Sequence, residues 1–370
     1  MIYFTDWCTT YPMEGYTISG IQQIGLGVPD VHIAWAWIRR HFGMDIPVFT
    51  DSGDAPFMTK YTGGKVHSRT ATLAISIMGG GGFEIWQYET RKPEKPDFEV
   101  RLGDLGIFCA RIKCRNAEKA YDFFTREDAE LLGRVQQDPA GANFFFIKDF
   151  YGNIFQVIEE ESFFTKRHHV TGGAAGCMIG VSDIEKAREV YSGVLGYDQV
   201  IYDSSGTADD LSALPGGSGP EGQKTFRRVL LSHAEPRKGA FSRILGPSKI
   251  ELVQCLERKP KKIFENRYWG DLGYIHLCFD IRGMDALEQK CSRQGYPFTV
   301  TSGGAFDMGE ASGPFSYIED PDGTLIEFVE THKIPINKAK GKYLDLTKRD
   351  PEKPLPNMLL KALRFGRVKD

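Results

Sequence analysis

An imidazole and a carboxylate on two apolar runs are the groups of this chain best suited to metal chemistry. His276 lies in Gly273-Tyr-Ile-His-Leu-Cys-Phe-Asp-Ile281, and Glu327 lies in Leu325-Ile-Glu-Phe-Val329. Between them, Asp320-Pro-Asp-Gly323 joins Tyr317-Ile-Glu to the Glu327 run. Pro pre-sets one turn torsion and Gly tolerates positive φ, so the segment is expected to be a tight hairpin. A carboxylate inside an apolar strand is costly to bury without a cation, and imidazole with carboxylate is a ligand pair for a divalent metal. One such pair carries little weight. It gains weight because its setting recurs.

Four units share one layout. Their first strands are read at Gln23–Asp30, Cys109–Asn116, Gly176–Asp183 and His276–Gly283. Helices are expected at Val31–His41, Ala117–Phe124, Ile184–Val194 and Met284–Gln294, with Gly43 and Gly196 as left-handed C-caps. Closing strands are read at Phe83–Tyr88, Ile154–Ile158, Ile250–Gln254 and Ile326–Val329. The order is strand, helix, then three strands, four times over. The expected fold class is therefore α+β.

This pattern resembles the vicinal oxygen chelate superfamily, which includes glyoxalase I, methylmalonyl-CoA epimerase, extradiol dioxygenases and bleomycin-resistance proteins. The resemblance covers roughly residues 20–330. It implies βαβββ modules that pair into two curved mixed-sheet cups, with metal ligands on the first and last strands of paired modules. The corresponding first-strand positions hold Gln23, Cys109, Gly176 and His276, and the last-strand positions hold Glu84, Gln156, Glu251 and Glu327. Gly176 offers no side chain, and Cys109 with Gln156 is a poor set, so one cup is expected to be competent and it must contain module four. If modules one and four pair, the set is Gln23, Glu84, His276 and Glu327. If modules three and four pair, it is Glu251, His276 and Glu327. Either set implies one divalent metal: Zn, Ni, Mn, Co or Fe.

Such a site implies an isomerase, epimerase or lyase that removes a proton next to a carbonyl of a small oxygen-chelating substrate, with Glu84 or Glu327 as base. Two alternatives accompany it. Extradiol cleavage wants two His and one carboxylate, and only His276 stands at a matching position. A non-catalytic binder of the bleomycin-resistance type needs no metal. A glutathione substrate is disfavoured, because Gly27 and Leu272 stand where that branch of the superfamily carries basic residues.

Composition is that of an ordinary globular chain of 370 residues, 41% hydrophobic and 26% charged. A net charge of −3 argues against nucleic acid as a partner, and no apolar run approaches the length of a membrane span. Met1–Trp7 shows no targeting signal, and seven cysteines without a Cys-x-x-Cys pair suggest a reducing cytoplasm. The expected partner is a small-molecule substrate, with a homodimer left open. Linkers are read at 91–97, 161–169 and 258–262. They suggest an N-terminal domain at 18–165, a C-terminal domain at 170–332 and a tail at 333–370. Long polar loops are expected at Thr50–Ser68 and Ser204–Lys224. Within the basic tail (Lys338, Lys340, Lys342, Lys348, Arg349), Met358–Leu363 is expected to dock as a helix. His168 and His169 are expected at the surface, Gly79–Gly82 as a hairpin turn or rim, and His67 and Arg69 as anion-binding groups lining the cup.

Overall fold

Two eight-stranded sheets carry almost the whole chain. The computed structural model describes residues 15–303, 313–337 and 341–368. Met1–Trp7, Lys338 and Lys340 lie outside them. Module one supplies β1 (Thr17–Gly27), helix α1 (Val31–Phe42), β2 (Ile46–Asp54), β3 (Ser68–Ile75) and β4 (Gly82–Tyr88). Module two supplies β5 (Gly106–Cys114), α2 (Ala117–Arg126), β6 (Glu130–Gln137), β7 (Asn143–Lys148) and β8 (Ile154–Glu159). Module three supplies β9 (Thr171–Gly180), α3 (Ile184–Tyr191), β10 (Gln199–Gly206), the short turn α4 (Gly219–Gly222), β11 (Phe226–Ser232), α5 (Ser242–Leu245) and β12 (Lys249–Cys255). Module four supplies β13 (Gly273–Arg282), α6 (Met284–Arg293), β14 (Val300–Thr301), β15 (Phe315–Glu319) and β16 (Leu325–Val329). The tail adds the hairpin β17 (Lys333–Asn337) and β18 (Lys342–Asp345), and α7 (Asn357–Lys361).

The strand orders are β14-β15-β16-β13-β1-β4-β3-β2 and β10-β11-β12-β9-β5-β8-β7-β6. Module one is therefore zipped to module four, and module two to module three, each into a curved half-barrel. The joins are the antiparallel pairs β1/β13 and β5/β9. Each of the halves expected at 18–165 and 170–332 gives one module to each sheet. The alternative pairing of modules three and four is corrected: no strand of module three joins β13 or β16.

Three of the four module helices start where an Asx residue can accept the first free amides: Asp30 from His32 and Ile33, Asn116 from Lys119, Asp183 from Glu185 and Lys186. A second device recurs in all four modules. The first helical N–H is held by a side chain three residues beyond the last-strand site position: Val31 by Gln87 (2.8 Å), Ala117 by Glu159 (2.8 Å), Ile184 by Gln254 (3.3 Å) and Met284 by Glu330 (2.8 Å). On a strand, residues i and i+3 point to opposite faces. Glu84, Gln156, Glu251 and Glu327 thus face the cups while their i+3 partners face the helices.

The concave faces are lined separately, and the helix-bearing faces share one core from Ile18 to Phe328. Between the sheets the backbones nearly touch. Gly81 bridges Ala174, and a Cβ on Gly80 would lie 2.8 Å from the carbonyl carbon of Gly173. The Gly79–Gly82 run is thus where one sheet approaches the other, which only glycine permits.

The expected loop Thr50–Ser68 is shorter than read, because β2 continues to Asp54 and a 3-10 turn covers Pro56–Tyr61. The loop Ser204–Lys224 folds its Leu211 and Leu214 into the second cup. Around Met358–Leu363, helix α7 buries Leu360 against Ile244 and Leu245. His168 and His169 are half-buried rather than exposed. His168 Nε2 lies 3.2 Å from Asp45, and burial pushes His169 down to about 4. The Asp320 turn forms as expected, but its side chain closes it by accepting from the amides of Asp322 (2.9 Å) and Thr324 (2.8 Å).

Candidate metal centre

Four side chains meet on the concave face of the first sheet, one from each of its central strands. Gln23 comes from β1, Glu84 from β4, His276 from β13 and Glu327 from β16. His276 Nε2 lies 3.1 Å from Glu327 Oε2 and 3.4 Å from Glu84 Oε2. Gln23 Nε2 donates to the same two oxygens, at 3.1 Å to Glu84 and 3.3 Å to Glu327. The ligand atoms of Glu84, His276 and Glu327 lie within 4.8 Å of one another.

Local backbone features explain this convergence. Between Ile21 and Gln23 the β1/β13 register slips by one residue, a β-bulge that lets Gln22 and Gln23 both face the cavity. Gly25 lies directly across from His276, and a Cβ there would fall 2.5 Å from the imidazole. The missing side chain is the space the ring occupies. Trp269 stacks parallel to the ring at 6.3 Å, and Tyr317 packs edge-on at 5.6 Å.

The electrostatics favour a cation. Burial alone would lower the His276 pKa, but the Glu327 and Glu84 carboxylates outweigh it and raise it to about 9. Burial pushes Glu327 up, and the imidazolium with the Tyr317 hydroxyl pulls it below its usual range. Gln23 Oε1 and both ring nitrogens of His276 are buried without a well-directed hydrogen bond among the described residues. Two carboxylates, an imidazole and an amide oxygen match the N/O donor set of a divalent ion. Exchanging Gln23 Oε1 and Nε2, which ordinary structures do not distinguish, turns the unpartnered oxygen toward the carboxylates.

A solvent-open cavity lies over this quartet. Glu84, Glu327 and Gln23 form its polar floor, and Phe49, Phe57, Trp86, Trp269, Phe315 and Tyr317 its aromatic wall. Arg69 lines the mouth, with Nη1 bonded to Asp51 at 2.9 Å, and Asp54 lies beside it. His67 does not line the cavity and bonds Thr90 instead.

Glu251 is in the other cup. It is fully buried and accepts from Arg228 Nε at 2.8 Å and Arg111 Nη1 at 3.1 Å. Burial raises its pKa, but the two guanidinium groups lower it further still. Positive charge is thus supplied by arginine where the first cup has imidazole. The corresponding positions Cys109, Gln156 and Gly176 provide no carboxylate, and leucines 211 and 214 fill the space above. Glu251 is therefore corrected as a partner of His276, since its strand belongs to the other sheet.

The fold has counterparts among known proteins. Residues 167–328 match the model of the Glyoxalase/Bleomycin resistance protein/Dioxygenase superfamily. Glyoxalase I from Zea mays superposes with a TM-score of 0.50 at 12% identity, covering 84% of this chain and 92% of that one. A dioxygenase-family protein from Bacillus subtilis subsp. subtilis str. 168 superposes with a TM-score of 0.54 at 12% identity, covering 95% and 97%. No curated protein sequence matches the chain. At that identity the two structures speak for the fold alone.

Proposed function

We propose that this chain, a four-module protein of the glyoxalase fold whose residues 167–328 match that superfamily, is a metal-dependent isomerase, epimerase or lyase. Its proposed substrate is a small molecule with two adjacent oxygens, deprotonated at the carbon beside a carbonyl. The observation that carries the reading is the Gln23, Glu84, His276 and Glu327 quartet at the floor of an open cavity. These four residues would hold one divalent ion, of which Zn, Ni, Mn, Co and Fe are the candidates. Bound there, the ion supplies Lewis acidity, which lowers the pKa of a proton next to a coordinated carbonyl.

The chain's own residues divide the remaining work. Glu84 has the more accessible carboxylate, 13% against 9% for Glu327, and is assigned as the base that takes the proton. Glu327 is buried, with its Oε2 3.1 Å from His276 Nε2, which suits it to anchoring the site or returning the proton. The aromatic side chains give the cavity an apolar wall beside the carboxylates.

A second reading, a small-molecule binder without catalysis, is favoured by one observation. The His276 imidazolium already balances one carboxylate without any metal. Metal analysis separates the two readings. The enzyme reading expects one Mn(II) or Co(II) per chain, lost in His276→Ala with cooperative unfolding retained. Zero uptake by well-folded protein would favour the binder, and two ions per chain would contradict the single competent cup.

A further inference from the structure

We propose that Gln22 is a further catalytic residue of the first cup, its side-chain N–H donating to the substrate oxygen that gains charge as the neighbouring carbon is deprotonated. This rests on the metal reading of the quartet, which sets where that oxygen lies. Gln22 itself is not one of the four.

Neighbouring side chains on a regular strand point to opposite faces, so only one of Gln22 and Gln23 would reach the floor. The register slip between Ile21 and Gln23 removes that alternation, and both glutamines line the cavity. Bulges of this kind re-aim a side chain. Gln23 is spent on the carboxylates, with Nε2 at 3.1 Å from Glu84 and 3.3 Å from Glu327. Among the described residues, the Gln22 side chain makes one hydrogen bond, and it is to Cys278.

That bond orients the amide. The Cys278 thiol donates to Gln22 Oε1, with 3.8 Å between sulfur and oxygen. An amide can ordinarily be placed either way round, but a thiol beside it selects the oxygen and leaves Nε2 to point elsewhere. Gln22 is half-buried against the cavity, and its Nε2 is neither buried nor partnered among the described residues. Cys278 is fully buried and pairs across the sheet with Gln23 on one side and Glu327 on the other. The thiol is thus a positioning group, anchored between two strands that carry the quartet.

The chemistry needs such a donor. As the carbon–hydrogen bond breaks, its proton goes to the Glu84 carboxylate and its electron pair forms a carbon–carbon double bond. The carbonyl π pair moves onto the oxygen. An N–H aimed at that oxygen binds the anion more strongly than the carbonyl, so it favours the transition state over the bound substrate.

The test uses two probes on the full chain loaded with Mn(II). Oxalate is planar with adjacent anionic oxygens, like the enediolate, and glycolate is a 2-hydroxy acid like an unreacted substrate. Mn(II) uptake is measured first by electron paramagnetic resonance, and affinities then by titration calorimetry. Gln22→Met keeps the length of the side chain and loses the N–H. It should weaken oxalate about tenfold and glycolate no more than about twofold, with Mn(II) uptake unchanged. Cys278→Ala should weaken oxalate several-fold, and Cys278→Ser, which keeps a donor, should recover most of that loss. A merely structural role would weaken both probes alike. Equal losses for the two probes, unchanged oxalate affinity in Gln22→Met, or no oxalate binding by the loaded wild type would each overturn the proposal and leave the metal reading standing. Cys278→Ser behaving like Cys278→Ala would remove the thiol from it. Absence of Mn(II) uptake by the wild type would overturn the metal reading and the proposal together.

Discussion

At the scale of single residues, two glutamates at matching positions of the two cups should answer the same substitution in opposite ways. Glu84→Gln removes a carboxylate from the floor of the open cavity and should weaken metal binding by at least tenfold with little loss of stability. Glu251→Gln leaves two buried guanidinium groups short of charge and should destabilise the fold by about 3–5 kcal/mol. Its effect on metal affinity should be negligible, because Glu251 is in the other sheet. Calorimetry and metal titration on both variants check this, and exchanged outcomes would mean the wrong cup has been assigned. Asp280 gives a separate test through pH. Burial, with Glu330 adding to it, raises its pKa from 3.8 to about 7, so the folded state keeps a proton that the unfolded state has lost. The stability from that proton is complete below the unfolded value and is lost as pH rises to about 7. Asp280→Asn should therefore raise the melting temperature at about pH 8 and change it little at about pH 4. Residue identity was the most legible level of this chain. His276 and Glu327 could be picked out because their chemistry is conspicuous inside apolar strands, and Gln23 and Glu84 because the family resemblance implies ligands at their strand positions. Gly25 could not, since its role is an absence opposite a ring supplied by a strand about 250 residues away. The environment of Glu251 was also hidden, because Arg111 reaches it from another module.

At the scale of elements, the last strand of each module does two jobs with one spacing. Glu84 and Gln87, Gln156 and Glu159, Glu251 and Gln254, and Glu327 and Glu330 form the same acid-or-amide pair three residues apart. The first member faces a cup, and the second holds the opening amide of the module's helix. This repeat is visible in the sequence and is sharper than the hydrophobic pattern that identified the modules. It was not read, because polar residues in strands are ordinarily assigned to solvent. Helix positions were legible to within a few residues from the repeated strand-then-helix layout and the C-cap glycine Gly43, whereas β2 was cut short because its outer residues are polar and exposed. Glu159→Ala should lower stability by about 1 kcal/mol, the usual cost of a lost helix cap, without touching the metal site. Gly25→Ala should do the reverse. The new methyl displaces the His276 ring, so metal affinity should fall by tenfold or more while the second cup is unaffected. Retained affinity in Gly25→Ala would show that the ring can shift without cost.

At the scale of the whole molecule, the chain closes on itself. The first and last modules build one cup, so Gln23 and Glu327 meet across 304 residues of sequence. No local pattern specifies that pairing, because each module has two edges of similar composition and only the completed set of ligands distinguishes the partners. Geometry then explains why nesting works. Modules two and three join through the short connection between β8 and β9, and this places modules one and four side by side with their open edges facing. The glycine contact between Gly81 and Ala174 holds the two sheets together where they meet. Folding should accordingly be slow, since the site forms only after the longest loop in the chain has closed. The nested order also predicts the behaviour of fragments. A fragment ending at residue 165 keeps Gln23 and Glu84 but loses β13 and β16, and the complementary fragment keeps His276 and Glu327 without β1 and β4. Neither half contains a complete sheet, so neither should bind Mn(II) or unfold cooperatively. Co-expression of the two should restore one metal per complex. If the chain were instead two consecutive cups, each fragment would fold alone, and the C-terminal one would keep its metal. Cooperative melting and Mn(II) binding by the isolated C-terminal fragment would therefore reject the nested architecture and the quartet together.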